Sequence, residues 1–480
     1  MRLRTTGSPA RAGGAFLPWL WLALLLACAG GCSSYPTVVA REARAQAVPS
    51  IAGARGPLTR RQSAAILEKL HQQSGASDIL QRHVALEEAV SGSPLLVGNK
   101  VTLLKDGPVT YKAMFEAIER SRDSINMETY IFEDDEVGRR FADALMKKQS
   151  EGVQVNVIYD SLGSVKAPRE FFERMKQAGI RVLEYAPINP LEARKAYSLN
   201  HRDHRKLLIV DGTVVFNGGI NISAVYSSSP SSGRGSSPGR GSATEGKKAD
   251  EIPWRDTHVR LEGPIAREFQ KLFLDTWQRQ HGEPLPERRY LRDLKPDGSH
   301  LVRAIASQSE DDLSPIYVTL VSAINNAEKS IDITIAYFIP DEQLMSAITD
   351  AAARGVRVRI ILPGQTDFWA VWHAGRSRYE RLLQAGVQVY ERSEAVLHAK
   401  TLVVDNVWSS IGSTNFDPRS FLHNDEVNSV VLGYDFASEM TAMFEDDVGH
   451  SKAITLEDWR RRPVSDRVRE WASRVWEYWM

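Results

Sequence analysis

The stretch His204-Arg205-Lys206-Leu207-Leu208-Ile209-Val210-Asp211, followed after six residues by Gly218-Gly219-Ile220-Asn221, occurs a second time in this chain. The second copy reads His398-Ala399-Lys400-Thr401-Leu402-Val403-Val404-Asp405 and continues, again after six residues, with Gly412-Ser413-Thr414-Asn415. Both copies fit the pattern H-x-K-x4-D-x6-G-[GS]-x-N. Identical internal spacing at two places indicates a duplicated functional element rather than coincidence.

Each copy predicts a β-hairpin with a tight turn. Residues 207–210 and 402–404 are aliphatic or β-branched runs of strand length. Asp211-Gly212 and Asp405-Asn406 follow with the composition of two-residue turns, and return strands are expected over 213–216 and 407–411. Because side chains alternate between the faces of a strand, the histidine and lysine of each copy point the same way.

Reflection of each hairpin about its turn brings a small residue beside the histidine. His204 then lies opposite Gly219, and His398 lies opposite Ser413. A small residue lets a substrate approach the backbone closely. Each hairpin thus gathers a histidine, a lysine, a small residue and an asparagine around one point. The residues expected to bind a phosphate group are Gly219, Asn221, Ser413 and Asn415.

This set of side chains suits a phosphate diester. Lysine supplies positive charge, asparagine and backbone N–H groups supply donors, and histidine serves as nucleophile or acid–base near neutral pH. Two such sets facing each other would supply one histidine to attack phosphorus and one to protonate the leaving oxygen. The candidate catalytic residues are His204, Lys206, Asp211, His398, Lys400 and Asp405. The aspartates stand where a turn favours aspartate, so we expect them to hold the hairpins and pair with lysine rather than do chemistry.

The two copies belong to a longer internal repeat. Glu151-Gly152-Val153 parallels Arg354-Gly355-Val356, and Gln177-Ala178-Gly179 parallels Gln384-Ala385-Gly386. In each half these glycines end helices that lead into strands, and helices alternate with strands as far as the hairpin. The sequence predicts an α/β fold of two similar α/β-sandwich halves, related by pseudo-two-fold symmetry, with one active site at their interface.

A Ser/Gly/Pro-rich run at 227–250 interrupts the first half as a flexible insertion. Asp256 follows His204 by 52 residues, whereas Glu426 follows His398 by 28, and the difference of 24 is close to the length of this run. Removing the run brings Asp256 into register with Glu426. Both acids are therefore candidates to orient the two histidines, with solvated edge positions as the alternative.

With two H-x-K-D motifs the chain resembles the phospholipase D superfamily over roughly residues 95–455, and within it the bacterial cardiolipin synthases. The resemblance implies a bilobal fold whose motifs meet in one active site, with His204 as nucleophile and His398 as acid. It also implies that acids at positions 256 and 426 support the histidines. Phe416-Asp417-Pro418-Arg419-Ser420 resembles the cardiolipin synthase pattern, and Arg419 would assist the phosphate or be structural.

Several further residues near the motifs have two readings. Tyr130 and Tyr337 stand at equivalent strand ends, where core packing is expected and site lining is the alternative. Three histidines are candidates to contact a phosphate or a lipid headgroup, with purely structural positions as the alternative: His201, His373 and His423.

The N-terminal segment has the features of an export signal. Arg2, Arg4 and Arg11 precede an apolar run that is short for a membrane span, and Cys28 and Cys32 are the only cysteines. The sequence around Cys32 resembles a bacterial lipoprotein cleavage site, with Cys28 as a second candidate. The alternative is an uncleaved N-terminal anchor. Either way we expect a membrane-attached protein of the bacterial cell envelope, with its catalytic body outside the cytoplasm.

The expected division of the chain has five parts. Residues 1–32 form the signal/lipoprotein segment, 33–94 a helical accessory or linker region, 95–290 and 291–455 the two halves, and 456–480 a C-terminal amphipathic helix. In that last part an apolar stripe runs at helical spacing between arginines, which fits a helix at a membrane interface as well as one packed on the protein.

The expected reaction is transfer of a phosphatidyl group from phosphatidylglycerol to a second phosphatidylglycerol, giving cardiolipin through a phosphatidyl-histidine intermediate. No cofactor or metal is expected, because two lysines and two asparagines supply the positive field and no cluster has metal-ligand spacing. A phospholipase D-type hydrolase and a non-catalytic envelope scaffold are the alternatives. Lys+Arg and Asp+Glu balance at 60 each, which disfavours nucleic acid as a partner.

Overall fold

The computed structural model describes residues 49–74, 79–189, 200–230, 252–311, 313–366 and 368–473. The predicted signal/lipoprotein segment with Cys32 lies outside these residues, as does most of the predicted insertion.

A small accessory piece precedes the repeat. Glu87, which is fully buried, forms an ion pair of 2.7 Å with Arg303 and accepts a hydrogen bond from Trp408 Nε1 at 3.2 Å, so this piece packs on the second half rather than serving as a linker. Its helical character agrees with the sequence, and a short hairpin precedes the helices. The elements are β1 (Ile51–Gly53), β2 (Gly56–Pro57), α1 (Arg60–Ser74), a π-helical turn (Ile79–His83) and α2 (Val84–Ser91).

The first half alternates strands with helices, as the repeat predicted. Its elements are β3 (Leu95–Lys105), α3 (Asp106–Arg120), β4 (Ser124–Thr129), α4 (Glu136–Ser150), β5 (Gln154–Asp160), α5 (Arg169–Gln177), β6 (Arg181–Tyr185), β7 (Arg202–Asp203), β8 (Lys206–Val210), β9 (Val214–Gly218), β10 (Trp254–Arg255), β11 (Thr257–Glu262) and α6 (Ala266–Arg279).

The second half repeats this series. Its elements are β12 (His300–Ser307), α7 (Pro315–Asn325), β13 (Ser330–Ile335), α8 (Glu342–Ala353), β14 (Arg357–Pro363), α9 (Trp369–Arg376), α10 (Tyr379–Gln384), β15 (Gln388–Arg392), β16 (Val396–Leu397), β17 (Lys400–Val404), β18 (Trp408–Gly412), α11 (Pro418–Leu422), β19 (Asn424–Leu432) and α12 (Tyr434–Gly449).

The two halves share strand order and strand direction. The first half pairs in the order β6-β5-β4-β8-β9-β11-β3. The second pairs in the order β15-β14-β13-β17-β18-β19-β12. The equivalent strands β3 and β12 then pair antiparallel and join the halves in one mixed β-sheet.

Among the hydrophobic clusters of the described residues, two large ones hold these layers. One lies under α3, α4 and α5 and belongs to the first half. The other is shared: Leu261 and Phe269 of the first half pack in one cluster with Val302, Val431 and Met440 of the second. Because removal of this apolar surface from water stabilises both halves together, the shared core fixes how the two hairpins face each other.

Two short parallel strand pairings connect the two halves. β7, just before the first motif, pairs with the start of β19, and β10, just before Asp256, pairs with β16. Equivalent backbone hydrogen bonds hold both pairings: His204 N donates to Asp425 O at 2.9 Å, and His398 N donates to Arg255 O at 2.8 Å. Each motif histidine is thus tied to the backbone of the opposite half.

The hairpin turns differ from the two-residue turns that the sequence predicted. Val210 pairs with Val214, and Val404 with Trp408, so each loop has three residues. Asp211 and Asp405 have positive φ angles of 54° and 52°. The extra residue shifts the register of each hairpin by one position, so the predicted facing of His204 with Gly219 and of His398 with Ser413 does not come from the ladder.

The motif aspartates explain this turn geometry. Oδ1 of Asp211 accepts hydrogen bonds from the backbone N–H groups of Asp123 at 2.7 Å and Ser124 at 3.1 Å. Asp405 accepts from Glu328, Lys329 and Ser330 in the same way, at 2.7 to 2.9 Å. Each carboxylate thereby clamps its turn to the start of a neighbouring strand. The expected pairing with lysine is not possible, because Asp211 and Lys206 stand at opposite ends of β8, about 17 Å apart at the usual strand rise.

Replacing Asp405 with alanine is expected to lower the free energy of unfolding by about 2–4 kcal/mol, because three backbone donors at the start of β13 lose a charged acceptor. Denaturant unfolding measures this loss, and Asp405→Asn, which keeps one acceptor oxygen, should lose less. Unchanged stability together with a large fall in turnover would instead place Asp405 in the chemistry.

The C-terminal part forms β20 (Lys452–Ile454), α13 (Leu456–Arg460) and α14 (Val464–Ser473) rather than one helix. α14 packs on α9. Its Glu470 is buried and forms an ion pair of 2.9 Å with Arg462. The predicted apolar stripe lies on the other face: Val464, Val468 and Trp471 are 72%, 57% and 70% exposed. In the described part of the chain, no helix combines the length and apolar character needed to cross a bilayer.

Candidate active site

Strands β8 and β17 begin at the motif lysines, and each motif histidine stands two residues before its strand. His204, Lys206, His398 and Lys400 are all buried. Nζ of Lys206 donates to the carbonyl oxygen of His204, and Nζ of Lys400 donates to that of His398. Each lysine is therefore held at the backbone of its own motif histidine.

His204 is held by a carboxylate of the second half. Its Nδ1 lies 2.9 Å and 3.1 Å from the two carboxylate oxygens of Glu426, which is fully buried. Ser413 Oγ also donates to Glu426 and in turn accepts a hydrogen bond of 3.1 Å from the N–H of Val427. An ionised carboxylate only accepts, so Nδ1 carries the proton and Nε2 presents its lone pair.

His398 is held by a carboxylate of the first half. Its Nδ1 lies 2.7 Å from Oδ2 of the fully buried Asp256 and 3.2 Å from the hydroxyl oxygen of Tyr226. Gly219 makes room for this acid, since a Cβ there would lie 2.2 Å from Asp256 Oδ1. Nε2 of His398 therefore also faces away from the carboxylate.

The structure brings together both acids and both histidines that the sequence singled out, and it crosses them between the halves. Asp256 stands in register with Glu426, and each contacts the histidine of the other half. The crossing follows from the exchanged pairings of β7 with β19 and of β10 with β16.

The two motifs share one electrostatic environment. The positive charge of Lys400 acts on both His204 and Lys206 of the other half. Burial, opposed by Glu426 and reinforced by Lys400, lowers the pKa of Lys206 to about 7. The motifs are also joined by contact, because Glu426 touches His204 of the first motif and Ser413 of the second.

The protonation states favour a neutral His204 beside an ionised Glu426. Burial lowers the pKa of His204 to about 4; Glu426 opposes this, and the charges of Lys206 and Lys400 add to it. Burial alone would raise the pKa of Glu426, but His204, Lys206 and the Ser413 hydroxyl together lower it. The pKa of Asp256 is likewise lowered against the effect of burial, chiefly by His398. A neutral imidazole with an accepting Nε2 is the form required of a nucleophile.

Of the four residues expected to bind phosphate, Gly219, Ser413 and Asn221 already have hydrogen-bond partners within the protein. The N–H groups of Gly219 and Ser413 donate to Thr257 O at 3.0 Å and Val427 O at 3.2 Å, so these donors are already used. Asn221 donates to Tyr226 and accepts from the N–H of Ile131, both at 3.1 Å.

Asn415 differs from its counterpart Asn221. Its amide oxygen is buried and meets no hydrogen-bond donor in the described part of the chain. Buried polar groups are normally paired, so an amide left unpaired fits a contact with substrate.

Aromatic rings line the histidines, and sequence reasoning largely missed them. Tyr130 packs edge-on against His204 with ring centres 5.1 Å apart, and Tyr337 lies 6.4 Å from His398. Trp254 and Tyr226 also flank His398, at 5.4 Å and 5.9 Å. Tyr130 and Tyr337 are therefore site-lining residues rather than core residues alone. Their equivalence in the repeat was the signal available for them, whereas Tyr226 had none.

The remaining candidates lie at different distances from the histidines. His373 is buried on α9 between Trp369 and Trp372, with ring centres 4.7 Å and 4.8 Å away. His201 and His423 instead flank the first motif, because β7 and β19 run side by side directly after them.

Comparison with known proteins agrees with this geometry. The family described as "Cardiolipin synthase, PLD-like domain" matches residues 114–228 and 320–448, which include both hairpins. A cardiolipin synthase of Halalkalibacterium halodurans is 35% identical over 412 residues, covering 85% of this chain and 77% of that protein. The major cardiolipin synthase of Bacillus subtilis is 34% identical over 381 residues, covering 78% and 74%.

A solved structure shows the same fold. The phosphatidylserine synthase of Haemophilus influenzae aligns with a TM-score of 0.62 at 14% identity, over 82% of this chain and 98% of that one. The match of the family to both halves and the identity to these relatives establish the lineage. The chain belongs to the cardiolipin synthase family of phospholipase D-like proteins.

Proposed function

We propose that this protein is a phosphatidyltransferase that makes cardiolipin from two molecules of phosphatidylglycerol, without a metal ion. The observation that carries the proposal is the crossed pair of histidines, each donating Nδ1 to a buried carboxylate of the opposite half. That arrangement leaves two Nε2 atoms for one phosphorus atom, as a double displacement requires.

In the first step, Nε2 of His204 attacks the phosphorus of phosphatidylglycerol. A phosphorus–nitrogen bond forms, the bond to the glycerol oxygen breaks, and His398 gives its proton to that oxygen. Glycerol leaves and a phosphatidyl-histidine remains. Glu426 stabilises the positive charge that develops on His204 because it is ionised and fully buried.

The second step reverses these roles with a different alcohol. His398 takes a proton from a hydroxyl of the second phosphatidylglycerol, whose oxygen attacks phosphorus while the bond to His204 breaks. Lys206 and Lys400 neutralise the charge on the phosphate oxygens in both steps, and the amide NH2 group of Asn415 donates a hydrogen bond to them. Since the two lysines supply this positive field, the mechanism uses no metal ion.

The alternative acceptor is water, which would make the protein a phospholipase D-type hydrolase. Mass spectrometry of lipids after incubation with labelled phosphatidylglycerol, with and without a chelator, separates the two. Cardiolipin plus glycerol, unchanged by the chelator, supports the transferase. Phosphatidic acid as the main product supports the hydrolase, and the absence of any product would contradict both.

The pH dependence of kcat/KM should show a decline above about pH 7. His204 is neutral, and so nucleophilic, above its lowered pKa of about 4, whereas Lys206 loses its charge as the pH rises through about 7. These two groups by themselves set no limit between the two values, and kcat/KM reports the free enzyme. Lys206→Arg, which stays charged, should move the alkaline limb to higher pH. An unmoved limb would assign it to another group.

The substrate requires contact with a membrane surface, and α14 supplies a face for it. Val464, Val468 and Trp471 are exposed there, and Phe368 and Trp369 at the start of α9 are 51% and 56% exposed beside it. Apolar and aromatic side chains between arginines are typical of interfacial helices. Together with lipidation at Cys32, this face would hold the catalytic body on the cell envelope membrane.

Tryptophan fluorescence tests this face. Phosphatidylglycerol vesicles with brominated acyl chains are expected to quench part of the emission, and the double variant Trp369→Phe/Trp471→Phe should lose most of that quenched part. Trp277→Phe, at a buried position, is the matched control. Equal quenching in the double variant and the wild type would remove this face from the membrane contact.

A further inference from the structure

The two flanks of the histidine pair have the same backbone and different side chains. On one flank Arg202 N donates to His423 O at 3.2 Å, and on the other Val396 N donates to Pro253 O at 3.0 Å. These bonds are equivalent in the repeat, because β7 pairs with β19 as β16 pairs with β10. The polar flank is defined by Asn200, His201, Arg419 and His423; their counterparts on the opposite flank are Glu394, Ala395, Val225 and Pro253.

The polar flank carries an arginine that has no carboxylate partner among the described residues. Arg419 is half-buried on α11, and no carboxylate of the described residues lies within ion-pair distance of it, although its charge acts on Asp417. Its guanidinium lies 3.4 Å from the side-chain oxygen of Asn200, and its carbonyl oxygen accepts the N–H of His423 at 3.0 Å. An arginine kept in place without a counter-ion is suited to an anionic ligand.

Arg419 and the two histidines lie next to the reacting centre. Besides burial, the charges of Arg419 and His201 lower the pKa of His423, and the charge of Arg419 opposes the rise in the pKa of Tyr130. Tyr130 packs on His204 at 5.1 Å. His201 precedes His204 by three residues, which is about 10 Å along an extended chain.

The carboxylates near the polar flank do little to neutralise the positive charge of Arg419. Burial raises the pKa of Asp417 to about 7, while its carboxylate accepts the N–H of Ser420 at 2.7 Å. Glu426 is engaged with His204 and Ser413. On the opposite flank the position of Asn200 is taken by Glu394, whose carboxylate would repel an anion.

We propose that the polar flank is a second phosphate subsite, which binds the phosphodiester of the acceptor lipid while its free hydroxyl attacks the phosphatidyl-histidine. This rests on the proposed function and assigns different roles to the two flanks. In the product, a glycerol bridge separates two phosphorus atoms by roughly 7 Å, given single bonds near 1.5 Å. A subsite for the acceptor phosphate must therefore lie within this distance of the reacting phosphorus.

A partition experiment tests the subsite. Phosphatidylglycerol vesicles and labelled glycerol are offered together, so that one phosphatidyl-enzyme either transfers to glycerol, which carries no phosphate, or to a second lipid. Arg419→Met is expected to lower the ratio of cardiolipin to labelled phosphatidylglycerol by roughly 10- to 100-fold, the size of one lost charge-assisted hydrogen bond. Glycerol exchange should stay within about threefold of the wild type, and this also shows that the variant is folded.

Companion variants sharpen the result. Arg419→Lys should restore part of the ratio, and His201→Ala and His423→Ala should lower it in the same direction. Arg267→Met, at an arginine 43% exposed on α6, is the matched control. Parallel loss of exchange and cardiolipin in Arg419→Met, or an unchanged ratio, would overturn the subsite. Failure of the wild type to make cardiolipin at all would instead overturn the proposed function.

A further arm separates lipid phosphate from free phosphate. Inorganic phosphate that lowers the wild-type ratio, and lowers it no further in Arg419→Met, places the free anion at the same subsite. An unaffected wild-type ratio, combined with the expected loss in Arg419→Met, restricts the subsite to phosphate presented by a lipid.

Discussion

Replacing His204 with alanine is expected to lower the rate of cardiolipin formation by more than about 10⁴-fold, beyond the effect of one general acid or base. The reason is that Nε2 of His204 is the atom that bonds to phosphorus, so its removal closes the covalent route. His398→Ala should lose about as much with natural lipid, and the double variant no more than either single one, because residues that act as a unit are not additive.

The measurement is the initial rate of labelled glycerol release from phosphatidylglycerol vesicles. His450→Ala, at a histidine 49% exposed and remote from the motifs in sequence, is the matched control and should keep wild-type turnover. A double variant far slower than both single ones, or wild-type turnover in either, would contradict a site shared by the two motifs.

Glu426→Gln and Asp256→Asn are each expected to lower turnover by about 10²–10⁴-fold, and to resemble the histidine of the opposite half in the step they slow. An amide in place of either carboxylate no longer stabilises an imidazolium and favours the wrong tautomer. Because Glu426 contacts His204, its loss should impair attack on phosphorus. Because Asp256 contacts His398, its loss should impair protonation of the leaving group.

A phosphodiester with a nitrophenol leaving group distinguishes these steps, since this group departs without a proton. His398→Ala and Asp256→Asn should both recover much of the rate of the first nitrophenol release, whereas His204→Ala and Glu426→Gln should not. The crossed pairing predicts these two couples whichever histidine is the nucleophile. Recovery of His398→Ala together with Glu426→Gln would show that each carboxylate serves its own half.

The repeated motif made the site residues readable from sequence, and the spacing around the insertion pointed to Asp256 and Glu426. The crossing was not readable, because β7 and β10 are only two residues long and a pattern along the chain does not say which strands pair across it. The turn length was missed by one residue because the Asp211 and Asp405 carboxylates hold left-handed backbone at the loops. Composition alone does not reveal such a clamp.

The neighbours of the histidines were the other gap. Tyr226 reaches His398 from a turn after the first motif, and Trp254 reaches it from the short strand before Asp256. These contacts depend on how the halves fold over each other. The contrast between Arg419 and Val225 was visible in the repeat, but its meaning required the matching backbone bonds on both flanks.

The exchange of short strands between the halves bears on how such a molecule could have arisen. Two copies of one ancestral half would make the same paired swaps across an antiparallel seam, each lending its acid to its neighbour's imidazole. Once the two copies were joined in one polypeptide, a substitution in one half no longer changed the other half as well. The acid beside one histidine could then be an aspartate next to a glycine, and the acid beside the other a glutamate next to a serine. The two originally identical motifs could thus acquire different roles.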